Sequence, residues 1–295
     1  MRVRTHGKAS VTRYAKPTTV EEALALLAER PWRLLAGGTD FYPALGSRPL
    51  TEDVLDINGL AGLRGITETA GHWRIGARTT WADIARHALP HAFDAFRQAA
   101  REVGSPQIQN VATVAGNLCN ASPAADGVPA LLTLDAEVEL RSAAATRRLP
   151  LRAFILGNRR TAMRPGEMVT GILVPKGAAV GRSAFVKLGA RRYLVISIAM
   201  AAARLVVEEG IVREAAVAVG ACSAAAQRLA GVEAALRGAP AGALRDTVTA
   251  APMDELSPID DVRGSAGYRV EAAREIVARA VAAAAAGPGE GRRAA

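Results

Sequence analysis

Two short runs of small residues, far apart in the chain, restrict its folding more than any other feature. The first is Leu34-Leu35-Ala36-Gly37-Gly38-Thr39-Asp40. The second is Thr113-Val114-Ala115-Gly116-Asn117, followed closely by Ser122-Pro123-Ala124-Ala125-Asp126. Runs without bulky side chains let a ligand lie against backbone N–H groups. Asn117 and Asp126 add an amide and a carboxylate, suited to the hydroxyls or ring nitrogens of a ligand. Alone, either run is ordinary punctuation between strands and helices. Together, in this order and at this separation, they suit two turns that hold a diphosphate between them. Gly37-Gly38-Thr39 is not a P-loop, because no Gly-Lys-Ser/Thr follows. The separation also excludes a Rossmann fingerprint, whose glycines fall within one strand–turn–helix unit.

The pairing of LLAGGTD with ATVAGNLCNASPAADGVPALLTLDAEVEL resembles the FAD-binding subunit of molybdenum hydroxylases, the group that includes the flavin subunits of carbon monoxide dehydrogenase and xanthine dehydrogenase. The resemblance extends from Tyr14 to about Ala286. It implies that Leu35, Ala36, Gly37, Gly38, Thr39 and Asp40, with Thr113, Val114, Ala115, Gly116 and Asn117, form the two FAD turns. It places Asp126 near the adenosine or the flavin end. It places Lys187, in Phe185-Val186-Lys187-Leu188, near the flavin ring, where positive charge helps hold a reduced, anionic flavin. Read from its own surroundings, Lys187 also fits a surface position on an edge strand. The family commonly carries two glycines where this chain has Ala115-Gly116; the extra methyl group either pushes on the cofactor or faces away.

The implied fold is α+β. A two-subdomain, PCMH-type FAD-binding domain is expected over 1–176, a smaller domain of antiparallel sheet and helices over 177–286, and a flexible tail over 287–295. The implied role is electron transfer through FAD. Electrons arrive from iron–sulfur clusters in a small partner subunit, downstream of a large subunit that binds the molybdenum cofactor. They leave to an acceptor such as NAD or a quinone.

Composition bounds the alternatives. Half of the 295 residues are hydrophobic and 22% are charged, which suits a globular chain with a substantial core. Net charge is +9, but Arg147-Arg148, Arg159-Arg160 and Arg191-Arg192 lie far apart, unlike the clustered cations of a nucleic-acid binder. Cys119 and Cys222 form no CxxC pair, so the chain should hold no iron–sulfur cluster or zinc of its own. His87 and His91 have helical metal-pair spacing, yet Pro90 interrupts any shared helix. The start MRVRTHGKAS lacks an apolar stretch, and the run Tyr193–Ala203 is too short to cross a bilayer, so a cytoplasmic protein is expected. Three rivals remain open: a self-contained FAD oxidase or dehydrogenase, a flavin-free scaffold whose glycine turns are only structural, and a nucleic-acid-binding module.

Local patterns give the elements. Thr18-Thr19-Val20-Glu21 reads as a capping box before a helix, and Arg33–Ala36 as a short buried strand entering the first turn. Hairpins are expected around Thr69-Ala70-Gly71 and between Ala136–Arg141 and Arg147–Leu149. Thr80 caps a helix through Ile84, and Gly104 stops one carrying Phe93, Phe96 and Ala100. Val128–Leu134 reads as helix, and Met168–Val174 as a strand stopped by Pro175. Leu194–Val207 reads as a strand, with helix as the alternative. Gln227–Arg237, Ala241–Ala251 and Tyr268–Ala286 read as helices.

Overall fold

The structure is a computed structural model that describes residues 12–286; the N-terminal MRVRTHGKAS and the expected 287–295 tail lie outside the described residues. The described residues open on β1 (Tyr14–Ala15), α1 (Val20–Glu29), β2 (Arg33–Leu35) and β3 (Val54–Asp56). These strands form a parallel sheet in the order β1-β3-β2. The cap of α1 sits one residue later than the sequence pattern suggested. Thr19 holds extended backbone and its Oγ1 accepts from Glu22 N at 3.2 Å, while the Glu22 carboxylate accepts from Thr18 N. The first helical hydrogen bond, Ala23 N to Thr19 O, fixes that register. β2 is only half-buried, not the buried strand expected, because it lies at the sheet's edge and only Leu35 turns fully inward.

The next unit comprises β4 (Ile66–Glu68), β5 (His72–Gly76), α2 (Trp81–Arg86), α3 (Asp94–Glu102), α4 (Pro106–Val111), α5 (Val114–Asn120), α6 (Gly127–Thr133), β6 (Glu137–Arg141), β7 (Thr146–Pro150), α7 (Leu151–Phe154), the small hairpin β8 (Ile155–Gly157) with β9 (Arg160–Thr161), and β10 (Met168–Pro175). Five of its strands form a sheet in the order β4-β5-β10-β6-β7. β10 is central and buried from Met168 through Val174, hence its largely apolar sequence; the one polar side chain, Thr170, donates to Glu139 Oε1 at 2.8 Å. Both expected hairpins form at their predicted turns. Thr80 and Asp83 complete a reciprocal capping box on α2.

The third unit holds β11 (Arg182–Leu188), β12 (Ala199–Glu208), β13 (Ile211–Gly220), β14 (Gln227–Arg228), α8 (Ala230–Leu236), α9 (Leu244–Ala250) and α10 (Ala266–Ala286). Its sheet is antiparallel in the order β11-β12-β13-β14. The Leu194–Val207 segment becomes strand only from Ala199 onward. Gln227-Arg228 pairs with β13 as a strand, because the helix starts only after Leu229.

Strand alternation explains the alanine-rich sequence of this sheet. Ala199, Ala201, Ala203 and Leu205, with Ala215, Val217 and Val219, pack with the side chains of α8, α9 and α10. Met200, Ala202 and Ala218 join the other core, that of α6 and the preceding units. Every residue of α6 is buried, and alanine on the facing strands lets the helix approach closely. A sheet covered on both faces shows no polar alternation, which is why its strands were weakly marked. The architecture is therefore α+β, with α6 lodged between the central unit and the third sheet. Among the described residues no helix is long and apolar enough to cross a membrane.

Candidate cofactor site

β2 ends at Leu35 and the chain turns through Ala36-Gly37-Gly38. Gly37 has no room for a side chain: a Cβ there would lie 2.1 Å from Val111 O and 2.9 Å from Ala112 Cα. That backbone contact joins the two small-residue runs, since Val111-Ala112 leads directly into Thr113. Gly38 holds φ +75°, a left-handed conformation that favours glycine. Asn58 Nδ2 donates to Ala36 O at 2.8 Å and braces the turn. Among the described residues, the N–H groups of Gly37, Gly38, Thr39 and Asp40 donate to no protein acceptor.

The second run was expected as a turn and is instead the first turn of a helix. Thr113 is extended and caps α5; its Oγ1 accepts from Gly116 N at 3.0 Å and its carbonyl from Asn117 N at 3.1 Å. Val114 N donates to Thr79 O at 3.0 Å, which ties α5 to the cap of α2. A threonine able to cap decided the outcome; the small residues after it had suggested a turn.

The two runs face each other across a cleft of about 1200 Å³. Ala36, Gly37, Gly38, Thr39 and Asp40 line one side, and Thr113, Ala115, Gly116 and Asn117 the other. Trp81, Val103 and Ile108 form an apolar wall, while Arg30, Arg33, Arg159 and Arg164 also border the cleft. Leu35 and Val114 turn into the core and do not line it. The Ala115 methyl group is buried against that core, although the residue borders the cleft. Asn117 Oδ1 is buried without a hydrogen-bond partner, a position that is unfavourable unless a donor arrives from the cleft. The unused backbone amides, an orphaned amide oxygen and bordering guanidinium groups of the cleft fit an anionic dinucleotide such as FAD.

Asp126 and Lys187 do not line this cleft; they pair with each other. Lys187 Nζ lies 2.6 Å from Asp126 Oδ2, and each side chain is only 9% exposed. Ser197 Oγ donates to Asp126 Oδ1 at 2.7 Å. Burial raises the Asp126 carboxyl above the ordinary carboxylate range, against the lowering effect of Lys187 and Ser197. Lys187 is therefore no surface lysine, even though β11 is an edge strand. The pair sits behind the apolar wall: Gly127, next to Asp126, packs on the Trp81 ring, and Lys187 Nζ reaches the carbonyl of Glu102, the neighbour of Val103.

Cys119 borders the cleft, and burial pushes its thiol up to about 12, which favours the neutral form at neutral pH. Among the described residues no group of His, Cys, Asp and Glu is arranged to hold a metal ion. Asn58 and Ser197 escaped the sequence reading. Each acts through a partner distant in the chain, and no local pattern marks such a contact.

Residues 9–177 match the family described as "FAD binding domain in molybdopterin dehydrogenase", and residues 184–284 match "CO dehydrogenase flavoprotein C-terminal domain". The chain is 30% identical over 282 residues to the xanthine dehydrogenase FAD-binding subunit of Escherichia coli O157:H7, spanning 92% of this chain and 96% of that subunit. It is 39% identical over 190 residues to the nicotinate dehydrogenase FAD-subunit of Eubacterium barkeri, a match that covers 62% of this chain and 64% of that relative. Among solved structures, reconstituted CO dehydrogenase from Oligotropha carboxidovorans matches with a TM-score of 0.85 at 27% identity, covering 94% of this chain and 98% of that one.

Proposed function

The chain belongs to the family of FAD-binding subunits of molybdenum hydroxylases, and from that premise we propose that it holds FAD in the cleft between its two small-residue runs and serves as the electron-transfer subunit of such an enzyme. FAD supplies reversible redox chemistry between one-electron and two-electron partners. The chain's own residues bind and orient it. The free amides of residues 37–40 and of Ala115, at the start of α5, suit the diphosphate. Asn117 Oδ1 accepts from a hydroxyl or amino group of the cofactor. The Trp81–Val103 wall keeps water from one side, and the buried Asp126–Lys187 pair behind it acts through its field. Leu35 and Val114 support the runs from the core. In this reading the FAD-binding part is 1–176 and the remainder, 177–286, closes over α6.

The partners in this reading are an iron–sulfur small subunit and a large subunit carrying the molybdenum cofactor. The acceptor is an external oxidant such as NAD or a quinone. The observation that carries the proposal is the Gly37–Val111 backbone contact, which sets two sequence-distant runs on one cleft. The test is purification of the native complex with a visible spectrum and metal analysis. Flavin together with iron and molybdenum is expected. A protein that stays colourless after FAD is added would overturn the cofactor assignment, and an active preparation with flavin but neither metal would overturn the three-subunit role.

A further inference from the structure

A buried polar cluster behind the cleft wall joins two parts of the chain. Asp126 stands at the start of α6, Lys187 lies near the end of β11, and Ser197 closes the loop that leads into β12. Both oxygens of Asp126 are satisfied from the third unit: Oδ2 by Lys187 Nζ at 2.6 Å and Oδ1 by Ser197 Oγ at 2.7 Å. Ser197 itself is fully buried. The next residue is also pinned, since Ile198 O accepts from Nη1 of the buried Arg269 at 2.6 Å. Ser197 thus has little freedom to point elsewhere, and its hydroxyl has one acceptor.

We propose that Ser197 is a positioning residue for the flavin: by donating to Asp126 Oδ1 it holds the Asp126–Lys187 pair in its ionised, mutually neutralising form behind the cofactor wall, and so sets the redox potential of the bound FAD. The inference rests on the reading that FAD occupies the cleft with its flavin ring toward the Trp81–Val103 wall. A buried carboxylate is tolerated only while its oxygens find donors. Without the hydroxyl, Oδ1 is buried with no donor, and the carboxyl is held less well as an anion. The Lys187 cation is then less compensated. Reduction of FAD by two electrons and one proton leaves a negative charge on the ring, so excess positive charge behind the wall favours the reduced form.

The test is the midpoint potential of the full chain loaded with FAD, measured by redox titration followed through flavin absorbance. Ser197→Ala should raise the potential while retaining FAD. Ser197→Cys, similar in volume but a weak donor, should shift it in the same direction and less, and it carries the test if the alanine variant does not fold. In an Asp126→Asn background, Ser197→Ala should add no further shift, because the hydroxyl acts through the carboxylate. An unchanged potential in a flavin-loaded Ser197→Ala protein, or the same shift persisting without the Asp126 carboxylate, overturns the inference and leaves the cofactor site standing. Failure of the unsubstituted chain to take up FAD overturns the cofactor reading itself.

Discussion

A methyl group at Gly37 would point straight at the carbonyl of Val111. Backbone cannot give way as a flexible side chain does, so Gly37→Ala should destabilise the protein by about 2 kcal/mol, the range of overpacking. It should also lose most of its FAD, because the clash forces the two runs apart. Gly177→Ala, where nothing lies within 4 Å, is the control and should stay within about 0.5 kcal/mol. Thermal melts and flavin content check both, and a Gly37→Ala protein with unchanged melting and full flavin would refute the role given to this contact. Asn117 makes a contrasting case. Its Oδ1 has no protein partner, so Asn117→Ala should leave the ligand-free melting temperature nearly unchanged. FAD affinity, titrated by fluorescence quenching, should fall about tenfold, the worth of one hydrogen bond.

At the level of elements, the cleft depends on segments that sequence periodicity hardly marks. The stretch before β10, which borders the cleft through Met163 and Glu167, is tied to β7 by one ion pair. Arg147 Nε donates to Glu167 Oε1 at 2.7 Å and Nη2 to Oε2 at 2.8 Å, and Arg164 N adds a third donor to Oε2 at 2.7 Å. The Arg147 hydrogen bonds chiefly hold the Glu167 carboxyl below its ordinary range, against the opposing effect of burial. A carboxyl depressed in the folded state contributes stability above its unfolded-chain value, about 4.3. That contribution disappears as pH falls through the lower folded value. Glu167→Gln should therefore cost stability at neutral pH and flatten the acid limb of the stability curve, as read from urea midpoints between neutral and strongly acidic pH. An acid limb as steep as in the unsubstituted protein would show that other carboxylates govern it.

Across the whole molecule, α6 is the element that joins the central unit to the third sheet. Arg204, almost fully buried on β12, donates to Thr133 O at 2.9 Å and to Val180 O at 3.2 Å. Arg228 donates to Leu132 O at 2.9 Å and pairs with Asp135 at 2.8 Å, and it also pairs with Glu233. The third sheet is thus bonded to the end of a helix that belongs, by chain order, to the preceding unit. Arg204→Ala should cost about 3 kcal/mol, because buried carbonyls lose their donor. Since both units share α6, the full chain should unfold in a single calorimetric transition. Two separable transitions would mean that the shared helix does not couple them.

Local chemistry made a large share of this protein legible in its sequence. The Thr80 cap, the hairpin turns, the Met168–Val174 strand and the two small-residue runs are all short-range patterns, whose physics is complete within a few residues. The glycines could be recognised as sites of close approach, but not the atoms approached: Gly37 meets Val111 only because the parallel sheet and α4 bring them together. Lys187 likewise fitted both a surface lysine and a flavin neighbour until α6 delivered Asp126 to it and the β11–β12 loop delivered Ser197. Charge compensation, the covering of the third sheet on both faces and the depth of the cleft depend on contacts between distant segments. Burial and pairing are properties of the packed chain, and tertiary structure alone decides them.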